Sequence, residues 1–466
     1  MIENHSRAQS TMPAAAPVRI LIESSEYWLA NHGDLAMLDV TLARLRQRWP
    51  HAQIGVLTDV PHLLRAYYPV AQGITGSDTD PWAEPSTVDD LVAGLGPQLV
   101  GPVALGWIRM RLWLPQKTRG ARRRLTRLTR RHLSSDPITE PSASDSAAAA
   151  ARAVRPAIAA AVDGASLVLT LGGGYLTDSD YTQAHRVLNL LEYACDRGIP
   201  VALVGQGLGP LDDPVLQRRA AEVLPRVGFL ALRERLRGPA ILQRAGVPHS
   251  RVMVTGDDAI ELAYAECAGT LGSDIGVCLR AADYAPVSAA ARETVRRVVR
   301  TVAAEHGSTL VPLIIAEYRS QDRRSTLPIV RGSTAWVAPL SRYTSRERIV
   351  EQVSRCRVVV TGAYHLAVFA LARGIPVIAL SSTRYYDDKF RGLEDMFGGG
   401  LRLLQLDDPA LDGTLTAAMH QAWRQSDESR EGLRKAARHQ IQLGHEAFEH
   451  VYALVEPARV EHRRGR

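Results

Sequence analysis

Three stretches near the amino terminus decide the fold: VRILIES (18–24), DLAMLDVTLARLRQR (34–48) and QIGVLTD (53–59). The first and third are short, rich in β-branched residues and closed by polar ones, the mark of strands buried in a sheet. Between them Leu35, Leu38, Leu42 and Leu45 recur at helical spacing and form one apolar stripe. Asp34 stands where it can cap that helix. Strand, loop, helix, strand is a βαβ unit, which demands a parallel sheet and a right-handed crossover.

The rhythm returns downstream. ASLVLTLGGG (165–174), IPVALVGQGLGP (199–210), VGFLALRERL (227–236) and RVMVTGDDAIELA (251–263) alternate with helical segments such as YTQAHRVLNLLEYACDRG (181–198). A small, polar stretch, YAECAGTLGSD (264–274), marks the domain boundary. A second βα series follows, from SDIGVCLR (273–280) through RVVVTG (357–362) and AYHLAVFALARG (363–374) to IPVIALS (375–381). The chain therefore reads as α/β, with two Rossmann-like domains in a GT-B-like arrangement and a cleft between them. Residues 1–17 form a disordered leader, 18–266 the amino-terminal domain, 272–407 the carboxy-terminal domain and 408–466 helices with a basic tail. Ligands of such sheets bind beyond the carboxyl ends of the strands, so the cleft is the expected site.

Residues 73–150 break the pattern and read as an insertion. LVGPVALGWIRMRLWL (99–114) is apolar with aromatics, and SSDPITEPSASDSAAAA (134–150) has the composition of a linker. Between Arg109 and Arg131 there are ten Lys or Arg and no acid. The formal net charge of +7 belongs to this segment, and the rest of the chain is close to neutral. The plain reading is a solvated loop. Trp107 and Trp113 beside arginines also make an interfacial composition, so a membrane-surface contact through about 99–131 is a second reading. No nucleic-acid module accompanies the charge, and no nucleic-acid partner is expected.

Composition sets further bounds. A chain of 466 residues, 46% of them hydrophobic, can bury a large core, and 23% charged residues argue against wholesale disorder. Cys195, Cys267, Cys278 and Cys356 lie far apart with no CxxC pair. That disfavours a zinc ribbon or disulfide framework and suits a reducing compartment. No apolar run reaches the ~18 residues of a spanning helix, and the start lacks the apolar core of a signal peptide. The expectation is a cytoplasmic protein, with a peripheral place at the inner membrane face if the second reading of 99–131 holds.

Every glycine cluster falls at a strand's carboxyl end: Asn31-His32-Gly33-Asp34, Gly172-Gly173-Gly174 and the run from Gly205 to Pro210 that contains Gln206. Glycine lets backbone N–H groups approach a ligand, and a following helix start favours an anion. Tight βα turns also need glycine for their own sake. No turn matches GxGxxG with an acid about 20 residues on, nor GxxxxGK[ST], which disfavours a dinucleotide dehydrogenase and a P-loop NTPase. In the second domain His365 falls at the first turn of a helix, and Arg384, Tyr385, Tyr386, Asp387, Asp388 and Lys389 lie just beyond another strand. A histidine there can bind an anion or move a proton, and the mixed charges suit a phosphorylated ligand.

The ordered set resembles the polysaccharide pyruvyl transferase family. That family's N-x-G-D-x-A-x-L loop is matched by Asn31, Gly33, Asp34, Ala36 and Leu38. Its GGG and GQGxGP turns are matched by 172–174 and 205–210, and its R-[DE] segment by Arg233-Glu234. Its G-V…V-T-x-D run is matched by Gly246-Val247 and Val254-Thr255-Gly256-Asp257. An [ST]-x-R-L-H helix start reads Thr361-Gly362-Ala363-Tyr364-His365, and a Y-D-x-K end reads Tyr386-Asp387-Asp388-Lys389. The resemblance spans roughly 18–400 outside the insertion.

The resemblance implies transfer of a pyruvate ketal from phosphoenolpyruvate, a co-substrate and not a cofactor, to two hydroxyls of a glycan or lipid-linked saccharide, with no obligatory metal. His365, Lys389, Arg280, Arg384 and Tyr364 would face the donor. Asn31, Gly33, Gly172, Gly173, Gly174 and Gln206 would line the acceptor side, with Asp34 or Asp178 as base. One departure stands out: the family's arginine before the histidine is Ala363 here, and its leucine is Tyr364. Losing a guanidinium removes a bidentate partner for phosphate or carboxylate. Arg280 and Arg384 are the candidates to replace it; failing them, the donor has changed or activity is lost. A GT-B glycosyltransferase using a nucleotide sugar and a non-catalytic glycan-binding relative remain the alternatives.

Overall fold

The computed structural model describes residues 17–24, 26–84, 86–108, 110, 153–265, 270–282 and 285–464. The first sheet contains β1 (Arg19–Glu23), β2 (Gln53–Leu57), β3 (Ala71–Ile74), β4 (Leu167–Thr170), β5 (Gly173–Leu176), β6 (Val201–Leu208), β7 (Phe229–Leu232) and β8 (Val252–Val254). Its order is β3-β2-β1-β4-β6-β7-β8, with β5 attached to β6. The second contains β9 (Asp274–Cys278), β10 (Leu310–Pro312), β11 (Cys356–Thr361), β12 (Val377–Ser381) and β13 (Leu401–Gln405), ordered β10-β9-β11-β12-β13. All pairings in both are parallel. Two parallel α/β sheets, one per lobe, give the expected GT-B-like architecture.

Strands buried on both faces explain the continuous apolar runs. Along β1, Ile20 and Ile22 enter one core while Leu21 enters another. Along β11, Val359 faces the first of these cores and Val358 and Val360 face a third. The first core crosses between the lobes, joining Ile22 and Leu35 to Leu313, Val359 and Phe369. Two helices lie in that junction. Tyr364–Ala372 buries all of its residues. His32–Arg48 is buried well beyond the single stripe expected, because it is packed on both sides. Its charged positions are paired: Asp39 with Arg346 at 2.7 Å, and Arg44 with Asp258 at 2.7 Å and Glu261 at 2.6 Å.

The structure differs from the sequence reading in several places. The cap of His32–Arg48 is Asn31, whose side chain accepts from Gly33 N at 3.1 Å; Asp34 sits one turn inside. Gly173 and Gly174 belong to a strand, not a turn, because β5 continues the sheet beside β6. Residues 73 and 74 belong to the edge strand β3, so the break in rhythm starts after it. Helices over Thr87–Gly94 and 97–108 follow. The linker, most of the basic run, residues 1–16 of the leader and 266–269 of the boundary stretch lie outside the described residues. The tail is one helix, Leu411–Arg464. Leu415 and Met419 join the second lobe's core, while Phe448 and Val451 join the shared one. Tyr452 donates to the Arg44 carbonyl at 3.0 Å. Among the described residues no helix is long and apolar enough to cross a membrane.

Candidate active site

The carboxyl ends of the two sheets are drawn together by loop pairing. Asn31 bridges Ala316, His32 N donates to the Ile315 carbonyl at 2.8 Å and Glu317 N to the Ala30 carbonyl at 2.7 Å. Tyr385 of the second lobe donates its hydroxyl to the Gly174 carbonyl at 2.8 Å. A cavity of about 230 Å³ remains between them. The first lobe gives it Glu26, Asn31, Asp34, Gly173, Gly174 and Arg233; the second gives Arg280, Tyr364, His365, Tyr385, Tyr386 and Lys389.

Positive groups converge on this space. His365 occupies the first turn of Tyr364–Ala372, and its ring lies against Gly33, where a Cβ would fall 2.1 Å from Nδ1. Its Nε2 is 3.7 Å from Asp257 and has no hydrogen-bond partner among the described residues. Burial holds its pKa down to about 3; Asp34 opposes this, and Arg233, Lys389 and Arg280 add to it. Arg233 is buried, with Nη1 3.4 Å from Asp257 and its guanidinium 4.2 Å above the Tyr364 ring. Its Nη2 is buried without a partner. Arg280 is held as a fork by Asp322, at 2.6 and 3.0 Å. Lys389 bonds the Tyr385 hydroxyl, lies 3.9 Å above that ring, and is pushed well below the usual lysine range by burial and then by Arg233.

Carboxyl groups line the opposite wall. Asp34 accepts from Asn31 Nδ2 at 3.0 Å. Glu26 accepts from Trp28 N at 2.8 Å and Ala30 N at 2.6 Å, holding the loop around Leu29, whose φ of 54° is left-handed. Burial raises the Glu26 pKa to about 7 against those hydrogen bonds, with Asp34 and Asp59 adding a little. Among the described residues no group of His, Cys, Asp or Glu is arranged to hold a metal ion.

Of the residues singled out from sequence, His365, Asp34, Arg280, Lys389, Tyr364, Asn31, Gly173 and Gly174 are brought together on the cavity wall. Gly172, Gln206, Asp178, Arg384 and Gly33 are not. Gly172 is packed under Met37 and the Gly205 backbone. Gln206 is fully buried and donates to Leu171 O and Tyr175 OH, a structural bond network. Asp178 accepts from the backbone of Asp212 and Asp213 at 2.6 and 3.2 Å, fixing a turn outside the cavity. Arg384 is exposed and pairs with Asp212 at 3.2 Å. Gly33 serves as space for the imidazole and not as a ligand surface. Tyr385 and Tyr386, part of the cluster read as suiting a phosphorylated ligand, also line the cavity; Arg233 and Asp257 entered the sequence reading only as motif matches, and Glu26 did not enter it. Arg233 carried a signal, a charge straight after the buried strand VGFLAL; Glu26 sits in a loop with none.

A family model described as polysaccharide pyruvyl transferase matches residues 31–384. Solved structures of similar fold include a candidate UDP-N-acetylglucosamine 2-epimerase from Listeria monocytogenes, 11% identical, covering 95% of this chain and 98% of its own, at TM-score 0.54. The glycotransferase of kitacinnamycin is 12% identical over 94% of this chain and 100% of its own, at TM-score 0.50. A UDP-N-acetylglucosamine 2-epimerase is likewise 12% identical over 94% and 95%, at TM-score 0.50. Identities this low speak to the fold alone. No curated protein matches the sequence.

Proposed function

We propose that this chain, which belongs to the polysaccharide pyruvyl transferase family, transfers a carboxyethylidene group from phosphoenolpyruvate to two hydroxyls of a saccharide of a cell-surface glycan. The observation that carries this reading is the convergence of Arg233, Arg280, Lys389 and His365 from both lobes on one small cavity. Charging His365 and Lys389 in this buried space, beside two guanidinium groups, is costly, so both are held toward their uncharged forms. A ligand bearing both phosphate and carboxylate would relieve it.

In the reaction the central carbon of the donor gives up its bond to the phosphate oxygen and its π bond to the CH₂ carbon, and gains bonds to two sugar oxygens. Two protons leave the acceptor hydroxyls; one equivalent converts the enol CH₂ to a methyl, and the other leaves on hydrogen phosphate. Cations on the departing phosphate stabilise the charge that develops there. The donor's negative charge would raise the imidazole pKa from its depressed empty-site value, so His365 would carry a proton to the CH₂ when donor is bound. Asp34, on the opposite wall, would take the first acceptor proton, with Glu26 beside it as a second carboxyl poised near neutral pH. Arg233, the arginine of the R-[DE] segment, and Arg280 leave two guanidinium groups for the anion although the helix-start arginine is Ala363 here.

The test has two arms. Phosphate release from phosphoenolpyruvate should fall to background in His365→Ala with the fold intact; surviving turnover would contradict the assignment. Thermal scans with phosphoenolpyruvate and with UDP-, GDP- and CMP-sugars should show stabilisation by phosphoenolpyruvate alone. Stabilisation by a nucleotide sugar instead would favour a glycosyltransferase.

A further inference from the structure

Residues 87–110 leave the first sheet's edge as two helices, Thr87–Gly94 and 97–108. The second helix has a seated face. Val100 and Ile108 are buried in the shared core, and Gly101 lies under the Tyr343 ring, where a Cβ would fall 2.4 Å from a ring carbon. The outward face is apolar as well. Leu99, Val103, Trp107 and Met110 follow one another at helical spacing with 62%, 74%, 60% and 44% of their surface exposed; Leu91 and Leu95 extend the patch. These six account for most of the large apolar side chains left exposed among the described residues. Scattered exposed leucines need no explanation, but a continuous stripe of them does. Burying each of them in an apolar medium is favourable.

The sequence points to the occupant. The cationic run, ten Lys or Arg without an acid, begins at Arg109 within the last turn of the stripe. A tryptophan at the border between an apolar stripe and a polycation is the composition of a helix lying in a bilayer interface. Each such cation adds attraction to an anionic leaflet. A second copy on this face would bring two like-charged runs together. Folding the run back over the stripe would set cations on leucines with no carboxylate to meet them.

We propose that the outward face formed by Leu99, Val103, Trp107 and Met110 docks on a lipid bilayer with its apolar side chains in the interface, the cationic sequence that follows giving a preference for anionic lipid. The face connects to the cavity. Tyr343 rests on Gly101, and the adjoining Arg342 pairs with Glu317, whose N–H bonds the Ala30 carbonyl beside Asn31. Docking is independent of the reaction. That the acceptor is a lipid-linked saccharide reaching the cavity from that surface rests on the function proposed above.

The experiment sediments the full-length protein with vesicles of phosphatidylcholine, with and without phosphatidylglycerol. Wild type should pellet with the anionic vesicles only, less so as salt rises. Val103→Glu/Trp107→Glu should weaken that binding by at least about tenfold, with melting temperature and phosphate release from phosphoenolpyruvate unchanged. No sedimentation, equal sedimentation with neutral vesicles, or equal binding by the variant overturns the proposal. So does a lipid-free dimer that Val103→Glu dissolves, which would give the face to a second copy. Wild type that pellets with anionic vesicles but releases no phosphate from phosphoenolpyruvate would count against the proposed reaction and leave docking standing.

Discussion

Gly207 and Gly174 differ from Gly172 and Gly205 in what fills the space of the missing side chain, although all four belong to the same two glycine-rich strand ends. At Gly207 a Cβ would meet the Arg233 guanidinium at 2.5 Å, and at Gly174 the Lys389 chain at 2.6 Å. At Gly172 it would meet Met37 at 2.7 Å, and at Gly205 the Asp258 carboxyl at 2.7 Å. One pair makes room for cavity cations and the other packs the lobe. Glycine at a strand end therefore need not aim backbone N–H groups at a ligand. Here half of the signal reports space for a neighbouring cation, and the other half reports only close packing.

The contrast can be tested by substitution, beginning where the effect should be greatest. Arg233→Ala should cut phosphate release by about 10²–10³-fold, the usual loss when a group facing developing charge is removed. Arg233→Lys should recover only part of it, because a point charge does not replace a fork; full recovery would remove the guanidinium from the account. Gly207→Ala should lower turnover by about tenfold through a displaced Arg233, a loss worth ~1.4 kcal/mol. Gly172→Ala should instead cost ~1–3 kcal/mol of stability by overpacking, and leave turnover of the folded fraction within about twofold. If the two alanine variants behave alike, the division between them fails.

A smaller effect is expected at Glu26. Its folded pKa of about 7 lies above the ordinary carboxyl value of 4.5, so the native state binds the proton more tightly than the unfolded chain. Stability from this group is complete below about pH 4.5 and lost as pH rises through 7. Glu26→Gln removes the titration but also one of the two accepted backbone N–H bonds, so the melting temperature of the variant relative to wild type should rise between pH 4.5 and pH 8 by a contribution on the order of 2 kcal/mol. It should also flatten the acid limb of the turnover profile. Equal shifts at both pH values would mean that the carboxyl is ionised throughout. The smallest effect belongs to Arg384→Ala: an exposed pair contributes little, so donor affinity should stay within about twofold.

The fold was legible because parallel strands buried on both faces leave apolar runs such as VRILIES and RVVVTG that periodicity detects. His365, Asp34, Arg280 and Lys389 were legible because a βα chain places its strand ends on one edge. The misassignments share a cause. Asp178 and Gln206 also sit at strand ends, yet one turns out to bond a neighbouring turn and the other to bond the interior, and sequence spacing carries no information about side-chain direction. Glu26 was missed, and Arg233 was named only as a motif match, because what brings them to the cavity depends on contacts across chain separations that no local pattern records. The same limit hid the shared core, in which Leu35 and Phe369 belong to one cluster.

The central claim is that an anion neutralises a cationic cavity whose His365 and Lys389 are held toward their uncharged forms while it is empty. Calorimetric titration with phosphoenolpyruvate at neutral pH, repeated in buffers of different ionisation enthalpy, measures that directly. The account predicts binding with net proton uptake, reduced in His365→Ala. Binding without proton uptake, or no binding at all, would contradict it.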